Sequence, residues 1–266
     1  MSEQGRRNPL MELLLEQDYK KVGPTQVLRE IYDIVENTEH SYARQNWEIL
    51  VEVLADHLHL TKTRHREVKK KVEARGLFKM YLKTSEHDRW DHLGQLMTEL
   101  EIGNKGLGQH ITPKPIVQLI TMMLMGEEPT KFESVLDPCV GTGGFLLAAT
   151  NLYPAAPLVL YGIEIDPSIY RACLVNMKLF SNHFYYILCG DALRLPPYSN
   201  SPMWRLANKW DSPDLSLFYG PYRREEKGFS LKDYVKQQRL EQTAVEPTIS
   251  PSKAFRLVVM RHLRRA

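Results

Sequence analysis

The stretch DPCVGTGGF, Asp137–Phe145, decides how the rest of the chain is read. It follows a short apolar run, SVLDP, and precedes residues with helical spacing, which makes it a glycine-rich turn between a strand and a helix. Glycines let the backbone approach a ligand closely, and the N-terminus of the following helix presents unpaired N–H groups. Dinucleotides and S-adenosylmethionine are both bound by this device. The dinucleotide pattern requires another glycine three residues after the second. Counted from Gly141 and Gly143, that position is Leu146, and the pattern fails. Asp137 would also repel a pyrophosphate, whereas its charge suits the ammonium and sulfonium of S-adenosylmethionine.

Downstream, strands and helices alternate. LVLYGIEID (158–166) is a second apolar strand, Pro167–Phe180 a helix, and HFYYILCGD (183–191) a third strand. This order predicts a parallel, doubly wound α/β sheet. Glu164 closes the second strand, where a carboxylate accepts from ribose hydroxyls, and Asp191 closes the third, where it accepts from an adenine amino group. Three acids at three successive strand ends outline a nucleoside pocket around the glycine turn. DLSLF (Asp214–Phe218) is a predicted fourth strand and FRLVVM (Phe255–Met260) a last one, with polar loop between them at 222–253.

Upstream, the pattern is helical. Val27, Leu28, Ile31, Ile34 and Val35 recur at helix spacing after Pro24, and Trp47, Leu50, Val51, Leu54 and Leu58 form a second stripe. Ser85 with Asp88 predicts a capped start for a helix carrying Trp90, Leu93 and Leu96. GNKGLG (103–108) breaks the pattern, so a helical N-terminal domain is expected over 1–105 and the α/β domain over 106–266. Thr112 and Pro113 predict the cap and first turn of a helix through Ile120, and Met122, Met123 and Met125 are expected in the core. Between Lys62 and Arg75 lie seven Lys/Arg against two acids, among them Lys62, Arg64, Arg66, Lys69, Lys70 and Lys71, a cluster suited to a phosphate backbone. A solvated helix face is the plainer reading of the same cluster.

Composition excludes several classes. The chain is 43% hydrophobic and 25% charged, as in ordinary globular proteins. No apolar run approaches the ~20 residues that span a bilayer. A secretory leader is not expected. Three cysteines without CxxC spacing argue against a disulfide framework or a zinc site, and a reducing cytoplasm is the expected location. His57 and His59 fall on different helix faces, and no metal is expected.

GQHITPKPIVQLI (Gly108–Ile120) resembles the GQxxTP motif of type I modification subunits and phage-type adenine DNA methyltransferases. DPCVGTGGFLLAA, YGIEIDPSIYRACLVNMKL and CGDAL resemble the three motifs that follow in that family's order. The resemblance runs from about Asp91 to Asp191 and implies a class I S-adenosylmethionine-dependent methyltransferase domain, Rossmann-like and shortened, behind a helical N-terminal domain. It implies cofactor contacts from Gln109, His110 and Thr112 and from Asp137, Pro138, Gly141, Thr142, Gly143 and Gly144. It also implies contacts from Glu164, Ile165, Asp191 and Ala192. Double-stranded DNA is the implied substrate, with a specificity subunit as the implied partner.

The family's catalytic motif is Asn, Asp or Ser, then Pro-Pro and an aromatic, just after the fourth strand. Here DLSLFYGPY keeps Pro221 and Tyr222 but has Tyr219 at the polar position and Gly220 at the first proline. Tyr219, Pro221 and Tyr222 are the catalytic candidates, with Tyr222 placed to stack on a flipped base. Two further readings compete with adenine methylation of DNA. One is a catalytically silent subunit that binds cofactor or DNA; the other is methylation of RNA or protein.

Overall fold

In a computed structural model of the protein, residues 22–103, 109–126, 129 and 133–193 are described. They group into two compact units. One runs through Thr112 and includes Leu174–Asn176; the other starts at Pro113 and holds the rest.

The first unit is helical. Its helices are α1 (Pro24–Glu39), α2 (Ala43–His57), α3 (Arg66–Ala74), α4 (Leu77–Thr84) and α5 (His92–Glu99). Pro24 fills the first turn of α1, where its missing N–H costs nothing, and His40 ends the helix in a left-handed conformation (φ 51°). α1 is the hub, touching α2, α3, α4 and α5. Val27, Leu28, Ile31 and Val35 are fully buried along it, each worth about 1.5–3 kcal/mol of transfer free energy. Trp47 on α2 is buried as well, and its indole N–H donates to the Leu93 carbonyl on α5 at 3.3 Å. The turn between α2 and α3 is closed by Asp56, which accepts from the Thr63 amide and from Lys69 Nζ, both at 3.1 Å.

The predicted helix start at Ser85 is wrong. Ser85 ends α4, where its hydroxyl donates back to the Leu82 carbonyl at 3.0 Å. Asp91 caps α5 instead, accepting from the Gly94 amide at 2.8 Å. A reciprocal cap needs Glu or Gln three residues on, and Asp88 is too short to reach back.

The second unit begins with α6 (Lys114–Met125), followed by β1 (Glu133–Asp137), α7 (Gly144–Leu152), β2 (Leu158–Glu164), α8 (Pro167–Phe180) and β3 (Phe184–Cys189). The strands are parallel in the order β1-β2-β3, with Asp137 level with Gly162 and Glu164 level with Cys189. Helical crossovers between parallel strands make this a Rossmann-like α/β fold, shortened among the described residues. Every residue of β2 is buried, as a central strand covered on both faces requires.

Gly162 has a steric reason to be glycine. A Cβ there would meet Ile187 Cδ1 and Val140 Cγ2, each at 2.9 Å. Its absence lets Val140 of the glycine turn fold down onto the strand. The expected strands at Asp214–Phe218 and Phe255–Met260, and the loop between them, lie outside the described residues.

Two expectations for α6 need correction. Thr112 is not its cap: Pro113 is, and Pro115 takes the first turn. Both prolines suit a first turn, and the helix uses the second. The methionines are not all core either, since Met122 and Met123 are exposed together with Ile116 and Leu119. The helix is apolar on nearly every side, and it buries Val117 and Thr121 while packing on α7. Among the described residues no helix is long and apolar enough to cross a membrane.

Candidate functional site

Three acids end the three strands on one edge of the sheet. Asp137 is the last residue of β1, Glu164 the last of β2, and Asp191 follows β3 by two residues. The glycine turn lies among them. Val140 donates its amide to the Ile163 carbonyl at 2.9 Å, which pins the turn to β2. Gly141 follows at φ 56° and Gly143 at φ 101°, both in the left-handed region where L side chains are strained. Gly143 is also crowded, because a Cβ would stand 3.2 Å from Cys173 Sγ. Its conformation turns the chain into α7, whose first amides have no partner within the helix.

The acids are not equivalent. Asp137 accepts from the Cys139 amide through Oδ1 at 3.0 Å, while Oδ2 is buried with no hydrogen-bond partner among the described residues. Burial raises its pKa above the ordinary carboxylate value; Glu164 pushes the same way, and the Cys139 amide only partly opposes them. Glu164, only 8% exposed, has both oxygens engaged. Oε2 accepts from the Gly141 amide at 3.0 Å and Oε1 from the Asp166 amide at 2.8 Å. Asp191 accepts from the Leu193 amide at 2.9 Å. Asp166, two residues past Glu164, is a helix cap: its Oδ1 takes the Ser168 and Ile169 amides at 2.9 and 3.3 Å.

Cys139 shows that the acids converge. Burial raises its thiol pKa, and the charges of Asp137, Glu164 and Asp191 raise it further. One thiol therefore feels all three carboxylates, which disfavour its thiolate. Cys189 is pushed up by burial, Glu164 and Asp166.

Pro138 and Thr142 belong to the same turn, Gly144 opens α7, Ala192 lies beside Asp191, and Ile165 is a half-exposed apolar side chain next to Glu164. The structure thus brings ten of the expected cofactor contacts, Asp137 to Ala192, to one sheet edge. Gln109, His110 and Thr112 fall in the helical unit, where Gln109 Oε1 accepts from Arg44 at 3.2 Å. Tyr219, Pro221 and Tyr222 lie outside the described residues.

In the basic segment Lys62, Arg64, Arg66, Lys70 and Lys71 are exposed. Lys69 is held by Asp56, and Lys71 pairs with Glu67 at 2.9 Å. Among the described residues no group of His, Cys, Asp and Glu could hold a metal ion. The spacing of motifs had not exposed Val140 and Gly162, which seat the turn on β2; a glycine inside an otherwise apolar strand was the available signal.

Residues 93–264 match the family model described as N-6 DNA Methylase, more than half of the chain. The chain belongs to the N-6 DNA methylase family. A relative within reach of this family is the Type I restriction enzyme HindI methylase subunit of Haemophilus influenzae, 35% identical over 80 residues. That match takes in 28% of this chain and 17% of the relative, so the chain spans about a sixth of that protein's length. Among solved structures, a Listeria monocytogenes protein assigned to the class I S-adenosylmethionine-dependent methyltransferases aligns with TM-score 0.45 and 16% identity. It covers 82% of this chain and 68% of the other. The methyltransferase subunit of a type I restriction-modification system from Streptococcus thermophilus aligns with TM-score 0.39 and 18% identity, over 75% of this chain and 47% of its own.

Proposed function

We propose that this N-6 DNA methylase family chain binds S-adenosylmethionine at the carboxyl edge of its sheet and methylates the exocyclic amino group of adenine in DNA, within a restriction-modification system. The observation that carries the reading is Oδ2 of Asp137, a buried carboxylate oxygen with no hydrogen-bond partner among the described residues, beside a left-handed glycine turn. Such an atom calls for a cationic hydrogen-bond donor, and the amino group of the cofactor is one.

The residues present fit that cofactor. Asp137 would hold its ammonium, the Glu164 carboxylate its ribose hydroxyls through the acceptor sites not already used, and Asp191 its adenine amino group. Ile165 would lie against the adenine ring. When bound, the cofactor supplies an electrophilic methyl group. The chain supplies orientation and fixed dipoles, with no covalent intermediate on the protein. Pro221 and Tyr222 would accept from the target amino group and stack on the extruded base. The exposed lysines and arginines of 62–71 would follow the phosphate backbone, and a separate specificity subunit would choose the site.

One observation favours a second reading. Tyr219 and Gly220 stand where the family motif has a short polar acceptor and a proline, which fits a subunit that binds cofactor without turnover. Transfer of radiolabelled methyl from S-adenosylmethionine to unmodified double-stranded DNA separates the two. Label recovered in N6-methyladenine supports catalysis. Cofactor binding without label, restored by the double change Tyr219→Asn and Gly220→Pro, supports a lapsed enzyme.

A further inference from the structure

Glu164 stands out because its carboxylate is already committed before any ligand arrives. Oε2 takes the Gly141 amide at 3.0 Å and Oε1 takes the Asp166 amide at 2.8 Å. Its own backbone is fixed too, since the Glu164 carbonyl accepts from the Gly190 amide at 2.8 Å. Gly141 lies in the loop after β1, Asp166 begins the turn after β2, and Gly190 follows β3. One buried residue thus ties together the three segments that leave the sheet on the edge where the acids converge.

We infer that Glu164 is a positioning residue that clamps the glycine turn and the turn after β2 into their ligand-ready conformation, over and above any contact it makes with a ribose. Gly141 supplies the reason a clamp is needed. Its φ of 56° is one of many conformations open to glycine, and an unrestrained glycine loses the most freedom on ordering. The Val140 amide on the Ile163 carbonyl fixes the turn on one side of Gly141, and the Glu164 carboxylate fixes it at Gly141 itself. With both in place, Asp137 Oδ2 is left open without having to be uncovered by a rearrangement. The ordering cost is then met in folding instead of in binding, which is how preorganisation raises affinity. The clamp does not exclude a ribose, because each carboxylate oxygen keeps a second acceptor site.

Glu164→Gln is the informative change. Glutamine keeps the volume and one acceptor oxygen, but its amide NH2 cannot accept an N–H. With the side chain in its present position the acceptor oxygen faces only one of the Gly141 and Asp166 amides, and the NH2 faces the other. The part of the inference that concerns binding rests on the cofactor reading above, and the test separates the two.

The first arm uses the ligand-free chain and amide hydrogen exchange. In the wild type the Gly141 and Asp166 amides are expected to exchange at least tenfold slower than unprotected amides. In Glu164→Gln at least one of them speeds up about tenfold, while amides of α1 and α2 keep their rates. The second arm measures affinity for S-adenosylmethionine and for its 2′,3′-dideoxyribose analogue. A clamp predicts that the substitution weakens both by a similar factor, on the order of tenfold. Unprotected Gly141 and Asp166 amides in the wild type overturn the inference, and this measurement needs no variant to fold. So does an affinity loss that disappears with the dideoxy analogue, which would confine Glu164 to ribose contact. If the wild type binds neither compound, the cofactor reading fails and the exchange arm alone decides the clamp.

Discussion

Asp56 in the helical unit and Asp137 at the end of β1 are both sheltered from water, yet their acidities are displaced in opposite directions. Burial alone would raise Asp56, but the Thr63 amide and the Lys69 ammonium outweigh it and hold it below the ordinary value. At Asp137 burial prevails, with Glu164 adding to it and one amide offsetting part. Asp56 has a partner on each oxygen, the Thr63 amide on Oδ2 and Lys69 on Oδ1. Asp137 has a partner on Oδ1 only, and its Oδ2 has none among the described residues. Proteins satisfy buried polar groups almost everywhere, and the exceptions concentrate where a ligand supplies the missing partner.

The largest effect is expected where the helical region is best packed. Trp47→Ala removes a buried indole and its hydrogen bond, and should cost about 3–5 kcal/mol in denaturant melts. A loss under about 1 kcal/mol would mean that Trp47 is not packed in a close-fitting core.

Asp137→Asn tests the other side. It should weaken S-adenosylmethionine about 10- to 100-fold by titration calorimetry, the range of a lost charge-assisted hydrogen bond. It should also raise the melting temperature of the ligand-free chain. A carboxyl whose folded pKa lies above its unfolded value contributes stability at low pH and loses it as pH rises through the folded value. The gain from Asp137→Asn therefore appears at neutral pH and fades on acidification. Asp56→Asn should do the reverse. Its folded pKa is depressed, so the wild-type stability exists above the unfolded value and disappears as pH falls through the folded one. The variant is destabilised at neutral pH and matches wild type in acid. Parallel instead of mirrored pH profiles would break the comparison.

Gly162→Ala should cost about 1–3 kcal/mol by overpacking, because the new Cβ lies 2.9 Å from Val140 and Ile187 side-chain atoms. Cofactor affinity should fall with it, since Val140 carries the glycine turn. The smallest effect concerns the basic segment. Changing Arg64, Arg66 and Lys70 to alanine should leave melting unchanged and flatten the salt dependence of DNA binding by about 0.9 log units per lost phosphate contact. Lys69→Ala, by contrast, should act on stability, because that side chain already serves Asp56.

Much of this was legible in the sequence, for physical reasons. Apolar residues at helix spacing found α1 and α2, since one buried stripe per helix is what packing requires. Three short apolar runs ending in acids located the strands and placed Asp137, Glu164 and Asp191 on one edge. What failed depended on neighbours that spacing does not reveal. Ser85 looked like a cap, but Asp91 had the reach. Met122 and Met123 looked like core because they are apolar, while only the side of α6 bearing Val117 and Thr121 is covered. The double engagement of Glu164 was invisible, because it arises only when the turn from β1 folds back across the end of β2.

The seating of that turn has a consequence for how the chain is proofread as it folds. Val140 rests on Gly162, the one position of β2 that leaves it room, and Gly141 reaches Glu164 two residues further along the same face. A slip of β2 by one residue would put the Tyr161 or Ile163 side chain under Val140 and swing the carboxylate to the opposite face of the sheet. The pocket therefore works as a gauge of strand alignment. Under the proposed cofactor reading, only a correctly registered sheet presents Asp137 and Glu164 to the ligand, and misaligned chains would be left without the stabilisation that binding gives.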